Sequence, residues 1–353
     1  MQKIKAEIHL GNIRRNAEKF SALTQKQVCA VVKANAYGHG AEQVVSALSG
    51  VVDSFAVALI EEGIAIRTVC SEDVLVFTPP LTEEEIYALS VNGLTVSIGD
   101  FWTAKLVVET CEKYRLYVKV HLKINSGMNR YGMDVYQLGK VCTYLKGNPF
   151  VQVEGIYSHL YTCDRETSLK QRSLFMQSSI VCKRYFPNVK AHLSATYGCL
   201  LGEKFAFDMV RVGIGLYGYL PMDDESEEMR VGKSLELQKG MEIYAPIVTN
   251  RKYAFGGIGY GLLNENLKNR RLSVCRVGYA DGFLRKKSNG MESAETHLNS
   301  LCMDVCLQSG GGRRGKWSAV LLDAEKTARE TETIVYEVLC AATRRAEFVY
   351  DYE

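Results

Sequence analysis

Across its first two-thirds the chain repeats a single pattern: a short apolar run rich in β-branched residues, a polar turn, then a stretch with helical period. Eight such runs can be read: Gln27–Ala34, Ser54–Ile60, Asp73–Thr78, Leu94–Gly99, Tyr117–Asn125, Val151–Ser158, Val189–Thr196 and Asp208–Gly215. Between them, Ala58–Val69 sets Ile60, Ile64 and Ile66 among charges, and Asp100–Tyr114 opens on an N-cap aspartate before Leu106, Val107 and Cys111. Strands alternating with helices imply a parallel sheet. An open doubly wound sheet uses the same alternation. Eight units, and no G-x-G-x-x-G after the first run, favour closure into a (β/α)8 TIM barrel.

After about residue 225 the texture changes. Asp223–Glu228 reads as an acidic linker. Beyond it Met241–Val248, Arg271–Tyr279 and Thr333–Cys340 are rich in Val, Tyr and Ile and are split by Gly-rich turns. The expected organisation is a barrel over 1–228 and a mostly β domain over 229–353, with Gln308–Lys316 as a turn or loop. The eleven cysteines are scattered singly, as reduced thiols are, and Cys302 and Cys306 lack a second ligand pair, so no metal site is expected. A net charge of +3 gives no basic excess for nucleic acid or membrane surfaces. No apolar run reaches a membrane span, and Met1–Lys5 carries no secretory segment, so the expected compartment is the cytosol.

In a barrel, chemistry gathers at the C-terminal strand ends. The first run ends in Lys33, followed by Asn35, Tyr37, Gly38 and His39. Burial lowers a lysine's pKa and yields the free amine that forms a Schiff base, although a lysine at a strand tip can also simply reach solvent. The sixth run ends at His159, a residue type that is as often a satisfied core group. The eighth carries Arg211, then Gly213 and Gly215, a turn whose amides suit a phosphate. A lysine, a phosphate cradle and a polar rim together suggest pyridoxal phosphate.

The string AVVKANAYGHG at Ala30–Gly40 resembles the cofactor-lysine signature of the alanine racemase family. AEIHLGNIRRN, KINSGMNRYG at Lys123–Gly132, EGIYSHLYTCD, VRVGIGLYG, GIGYG, VGYADG, LCMD and TIVYEVLC follow in that family's order along nearly the whole chain. The resemblance implies a pyridoxal-phosphate barrel plus β domain, working as a homodimer with shared active sites and supplying D-amino acids for peptidoglycan. Lys33 would hold the cofactor covalently. Tyr37, Thr196, the amides of Gly213 and Ile214, and Tyr336 would hold its phosphate. His159 would pack against the pyridine ring and Arg211 would face its nitrogen. Tyr260 of the other subunit would be the second base, with Arg130 near the substrate carboxylate. Tyr279, Met303 (through its amide) and Asp304 would line the substrate entrance. Lys123 matches a lysine that is often carbamylated in the family.

Two departures stand out. The family's H-x-A-N-S is HLSAT at His192–Thr196, so Ala195 lacks an amide side chain while Thr196 keeps a hydroxyl. Asn125 replaces the usual aspartate of the arginine motif. The HLSATYG string is most similar to the serine/alanine racemases of vancomycin-resistance clusters, which carry a membrane domain ahead of the racemase domain. The implied reaction is two-base racemisation of alanine, serine or both. A barrel decarboxylase would place an acidic group where Arg211 stands. A non-catalytic carrier of the cofactor would lack the second domain.

Overall fold

The computed structural model describes residues 2–222, 224–252, 256–258, 261–262, 269–284, 300–309, 312–321 and 323–353. The chain divides into two compact units. One comprises Asn12–Ala36 and Ala41–Gln238; the other comprises Met1–Gly11, Tyr37–Gly40 and Lys239–Glu353.

In the first unit each expected run holds a strand: Gln27–Val31, Ser54–Val57, Asp73–Val76, Leu94–Ile98, Val118–Lys123, Val151–Tyr157, Lys190–His192 and Met209–Val212. They pair in parallel in chain order, and the last returns to pair with the first. Two backbone bonds join the remaining seam, Asp208 N to Ala191 O at 3.0 Å and Arg211 N to Ser194 O at 2.9 Å. The result is a nearly closed barrel. Leu94–Ile98 is buried at every position, as a strand covered on both faces must be. Helices pack outside. Helix Phe101–Tyr114 starts where Asp100 Oδ1 accepts from Thr103 N at 2.7 Å, and it buries Ala104, Val107, Val108 and Cys111. Each fully buried side chain of valine size contributes about 1.5–3 kcal/mol.

The second unit is built on a sheet in which Lys5–His9 lies between Met241–Lys252, antiparallel, and Glu347–Asp351, parallel. The first eleven residues therefore group with this unit rather than with the barrel expected over 1–228, because their backbone bonds are made there. Residues 229–238 group with the barrel unit for the complementary reason. Ser226 Oγ accepts from Met229 N at 3.3 Å and starts helix Glu227–Ser234, so the acidic stretch is in part a helix start rather than a linker. Its Glu228 is buried against Arg165, 2.6 Å away.

Two further expectations are corrected. Thr333–Cys340, rich in β-formers, leads into helix Val335–Ala342. Val338, Leu339 and Ala342 bury one face at helical spacing, and that tertiary packing overrides intrinsic strand preference. Gln308 and Ser309 belong to strand Cys306–Ser309 rather than to a loop. All eleven cysteines are free thiols. Among the described residues no metal-binding cluster occurs, and no helix is long and apolar enough to cross a membrane.

Candidate active site at the strand ends of the barrel

The chain leaves the first barrel strand through Val32, whose N–H donates to Ala56 O, and enters the single turn Lys33–Gly38. Ala34, Asn35, Ala36 and Tyr37 have φ of 52°, 54°, 54° and 54°, so the turn is left-handed. For residues with a Cβ this conformation costs about 1–2 kcal/mol each. Such strain persists only where the surroundings over-determine it. Three bonds hold this turn: Ala36 N to Val32 O, Ala41 N to Asn35 Oδ1 and Ala34 N to Glu62 Oε1, at 2.8, 2.8 and 2.6 Å. Gly38 and Gly40, at φ 82° and 89°, end it, and a Cβ on Gly40 would lie 2.1 Å from the Tyr350 hydroxyl oxygen. Lys33, half-buried, is the first residue of this strained segment.

Arg211, on the last barrel strand, is buried. Its Nη1 donates to His192 O at 2.8 Å and His192 Nδ1 at 2.9 Å. Its Nη2 donates to Ser158 O, Leu193 O and His159 Nδ1, at 2.6, 2.9 and 3.3 Å. Every one of these acceptors is neutral. Arginine only donates, so Nδ1 of both histidines must be the acceptor and the proton sits on Nε2. His192 Nε2 accordingly donates to His121 Nδ1 at 3.0 Å. Burial, reinforced by the Arg211 charge, holds His159 and His192 well below the usual histidine range. Burial, with smaller contributions from the charges of Lys190, Arg211 and Lys119, pulls His121 down to about 3 against the opposing charge of Asp73. Tyr157 stacks on His192 at 5.1 Å between ring centroids.

Lys123 is buried beside this cluster, its Nζ donating to Ile124 O at 3.1 Å. Burial first, then the charges of Arg211 and Arg130, lower its pKa to about 7. Arg130 itself is exposed, its guanidinium 5.2 Å from the Tyr131 ring centroid. Asn125 shapes the loop that carries it: Asn125 Oδ1 accepts from Gly127 N and Asn129 N, both at 3.1 Å. Those are bonds an aspartate would also accept.

Thr196 begins the short helix after Lys190–His192, and its Oγ1 accepts from Gly215 N at 3.2 Å. Gly213 and Ile214 open the adjacent 3-10 turn, Ile214–Tyr217. A Cβ on Gly215 would meet Phe20 at 2.5 Å and Thr196 Cγ2 at 2.9 Å, so only glycine lets the backbone sit this close to the hydroxyl. Amides and a hydroxyl converging at a strand end fit a phosphate monoester. Ala195 precedes the helix as its N-cap residue.

In the second unit the Tyr37 and Tyr336 rings lie 5.9 Å apart, and burial raises the Tyr37 pKa. Tyr279 N donates to Cys302 O and Ala280 N to Met303 O, each at 3.0 Å, which brings Tyr279, Met303 and Asp304 together. Arg345 clamps them, with Nε on Asp281 at 2.7 Å and Nη2 on Asp304 at 3.1 Å. Tyr260 lies outside the described residues. His121, His192 and Tyr157 join this cluster without a role expected for them from sequence. The available signal was a polar side chain inside an otherwise buried strand, as in VKVHLK.

Residues 8–221 match the family model for the alanine racemase N-terminal domain, and residues 240–350 that for the alanine racemase C-terminal domain. The alanine racemase of Francisella tularensis subsp. tularensis is 32% identical over 264 residues, 74% of this chain and 71% of that protein. The structure of alanine racemase from Clostridium difficile 630 is similar with a TM-score of 0.88 and 27% identity, over 100% of this chain and 96% of that one. The alanine racemase of Bartonella henselae, whose crystal structure carries covalently bound pyridoxal phosphate, shares the fold at 24% identity and a TM-score of 0.83, over 99% of this chain and all 100% of that one.

Proposed function

From the premise that this chain belongs to the alanine racemase family, we propose that it binds pyridoxal phosphate on Lys33 and interconverts L- and D-alanine. One observation carries the reading: a buried arginine, Arg211, whose hydrogen-bond partners among the described residues are carbonyls and neutral imidazoles. Both Nη groups are committed to these acceptors, and Nε–H would be the donor that faces a pyridine nitrogen. Arginine keeps its protons, so that nitrogen would stay largely unprotonated.

When bound, the cofactor withdraws electrons from Cα of an amino acid and makes its proton removable. By leaving that nitrogen without a proton, Arg211 would favour return of the proton to Cα over transamination and decarboxylation. Thr196, Gly213 and Ile214 would hold the phosphate, joined by Tyr37 and Tyr336. His159 would pack beside the pyridine ring. The Lys33 amine would take and return the proton on the D face, and the Tyr260 hydroxyl on the L face, supplied by a second copy in a shared-site homodimer. A tyrosine is a poor base at neutral pH without cationic neighbours. Arg130 would supply that support and steer the substrate carboxylate. Tyr279, Met303 and Asp304 would line the approach. Lys123, half neutral near pH 7, is in the form that adds CO2, and a carbamate would place an anion between Arg130 and Arg211.

Serine exceeds alanine by one hydroxyl, which needs room and a partner. Tyr336 is bulky, so alanine is expected to be accepted at least as well as serine. The test is chiral analysis of L-alanine and L-serine after incubation with the cofactor-loaded protein, in the parent and in Tyr336→Asn. The expected result is racemisation of alanine by the parent and a raised serine-to-alanine kcat/KM ratio in the variant. A decarboxylated amine as product would refute the reading. An unchanged ratio would refute the role of Tyr336.

A further inference from the structure

Glu62 lies on helix Ile60–Arg67, after the second barrel strand, and its side chain faces three backbone donors. Oε2 accepts from Ala58 N at 2.9 Å and Leu59 N at 3.1 Å, capping its own helix. Oε1 accepts from Ala34 N at 2.6 Å, the first amide of the left-handed turn that follows Lys33. One carboxylate thus ties the second strand's exit to the strained exit of the first.

We propose that Glu62 is a positioning residue for Lys33. A left-handed turn of four residues bearing Cβ atoms is unfavourable in isolation, and Ala34 is its entry point. An ionised acceptor on that amide is the stronger kind of hydrogen bond. It fixes the backbone one residue beyond Lys33 and so the direction in which the lysine leaves the strand. Without it the turn relaxes and the amine loses its approach to the cofactor's aldehyde carbon. A simple helix cap needs only the two bonds of Oε2. The third, reaching 28 residues back along the chain, serves the lysine segment.

The inference rests on Lys33 being the cofactor-bearing lysine, and the experiment separates the two. Glutamine at position 62 has one carbonyl oxygen. It can keep the pair Ala58 and Leu59 or the single Ala34, and the pair wins. Glu62→Gln therefore keeps the cap and releases the turn. Glu85→Gln is the matched control, because Glu85 Oε2 accepts from Leu81 N at 2.6 Å ahead of helix Glu83–Val91, after a different barrel strand. The readouts are the pyridoxal phosphate dissociation constant by absorbance titration, the share of borohydride-trapped cofactor on Lys33, and Tm. Glu62→Gln should weaken cofactor binding about tenfold, the loss of one such hydrogen bond. Its trapping on Lys33 should fall, with a Tm no lower than that of Glu85→Gln, whose cofactor affinity should match the parent. Parent-like affinity and trapping in Glu62→Gln would overturn the positioning role. A parent trapped on a lysine other than Lys33 would overturn the underlying assignment, and this inference with it.

Discussion

In the proposed reaction Lys33 and Arg211 would divide the chemistry between them: one amine that exchanges protons, one guanidinium that keeps its own. Lys33→Ala should cut racemisation by about 10³-fold or more, the scale of a lost acid–base group, while leaving Tm nearly unchanged. A loss of Tm matching the loss of activity would instead mark Lys33 as structural. Lys123 makes a separate prediction. Its folded pKa of about 7 lies below its ordinary 10.5. Between those values the unfolded chain binds more protons at this site than the folded one, so stability rises with pH. The penalty is complete below pH 7 and fades toward the ordinary value. In CO2-free buffer, urea unfolding of the parent should gain on the order of 2 kcal/mol relative to Lys123→Met between pH 7 and 9. Parallel curves would contradict the buried, charge-repelled lysine.

The left-handed turn Lys33–Gly38 is the element on which the account depends most. Gly40→Ala would force a Cβ onto the Tyr350 hydroxyl at a φ of 89°. The expected loss, read as a lowered urea midpoint, is about 1–3 kcal/mol, and a parent-like midpoint would show the turn to be compliant. AVVKANAYGHG does not announce a left-handed turn, because only Asn35 tolerates that conformation readily while Ala34, Ala36 and Tyr37 disfavour it, and the tertiary bonds decide. The eight barrel strands, by contrast, are legible: Leu94–Ile98 and Met209–Val212 are buried at every position and most apolar positions of the others are too, so the apolar run is itself the pattern. Thr333–Cys340 is ambiguous because short Val- and Ile-rich runs satisfy strand and helix alike, and only packing partners separate them. Lys33, Arg211 and His159 were visible as polar residues at strand ends. The linkage from Arg211 through His192 to His121 was not, since it joins three strands far apart in sequence.

For the whole molecule the decisive feature is that a barrel unit and a β unit each hold part of the assigned machinery. If a site draws Lys33 from one copy and Tyr260 from another, two inactive variants can complement. Mixing Lys33→Ala with Tyr260→Phe under subunit exchange should restore a fraction of parent activity, and none with exchange verified would rule out shared sites. The central claim, a cofactor-dependent racemase, is tested most directly by incubating the pyridoxal-phosphate-loaded protein with L-alanine in D2O and following chirality and the α-hydrogen together. The account predicts D-alanine rising to equal the L form, with deuterium entering at Cα. L-Alanine that keeps its chirality and its α-hydrogen, or that yields ethylamine instead, would contradict it.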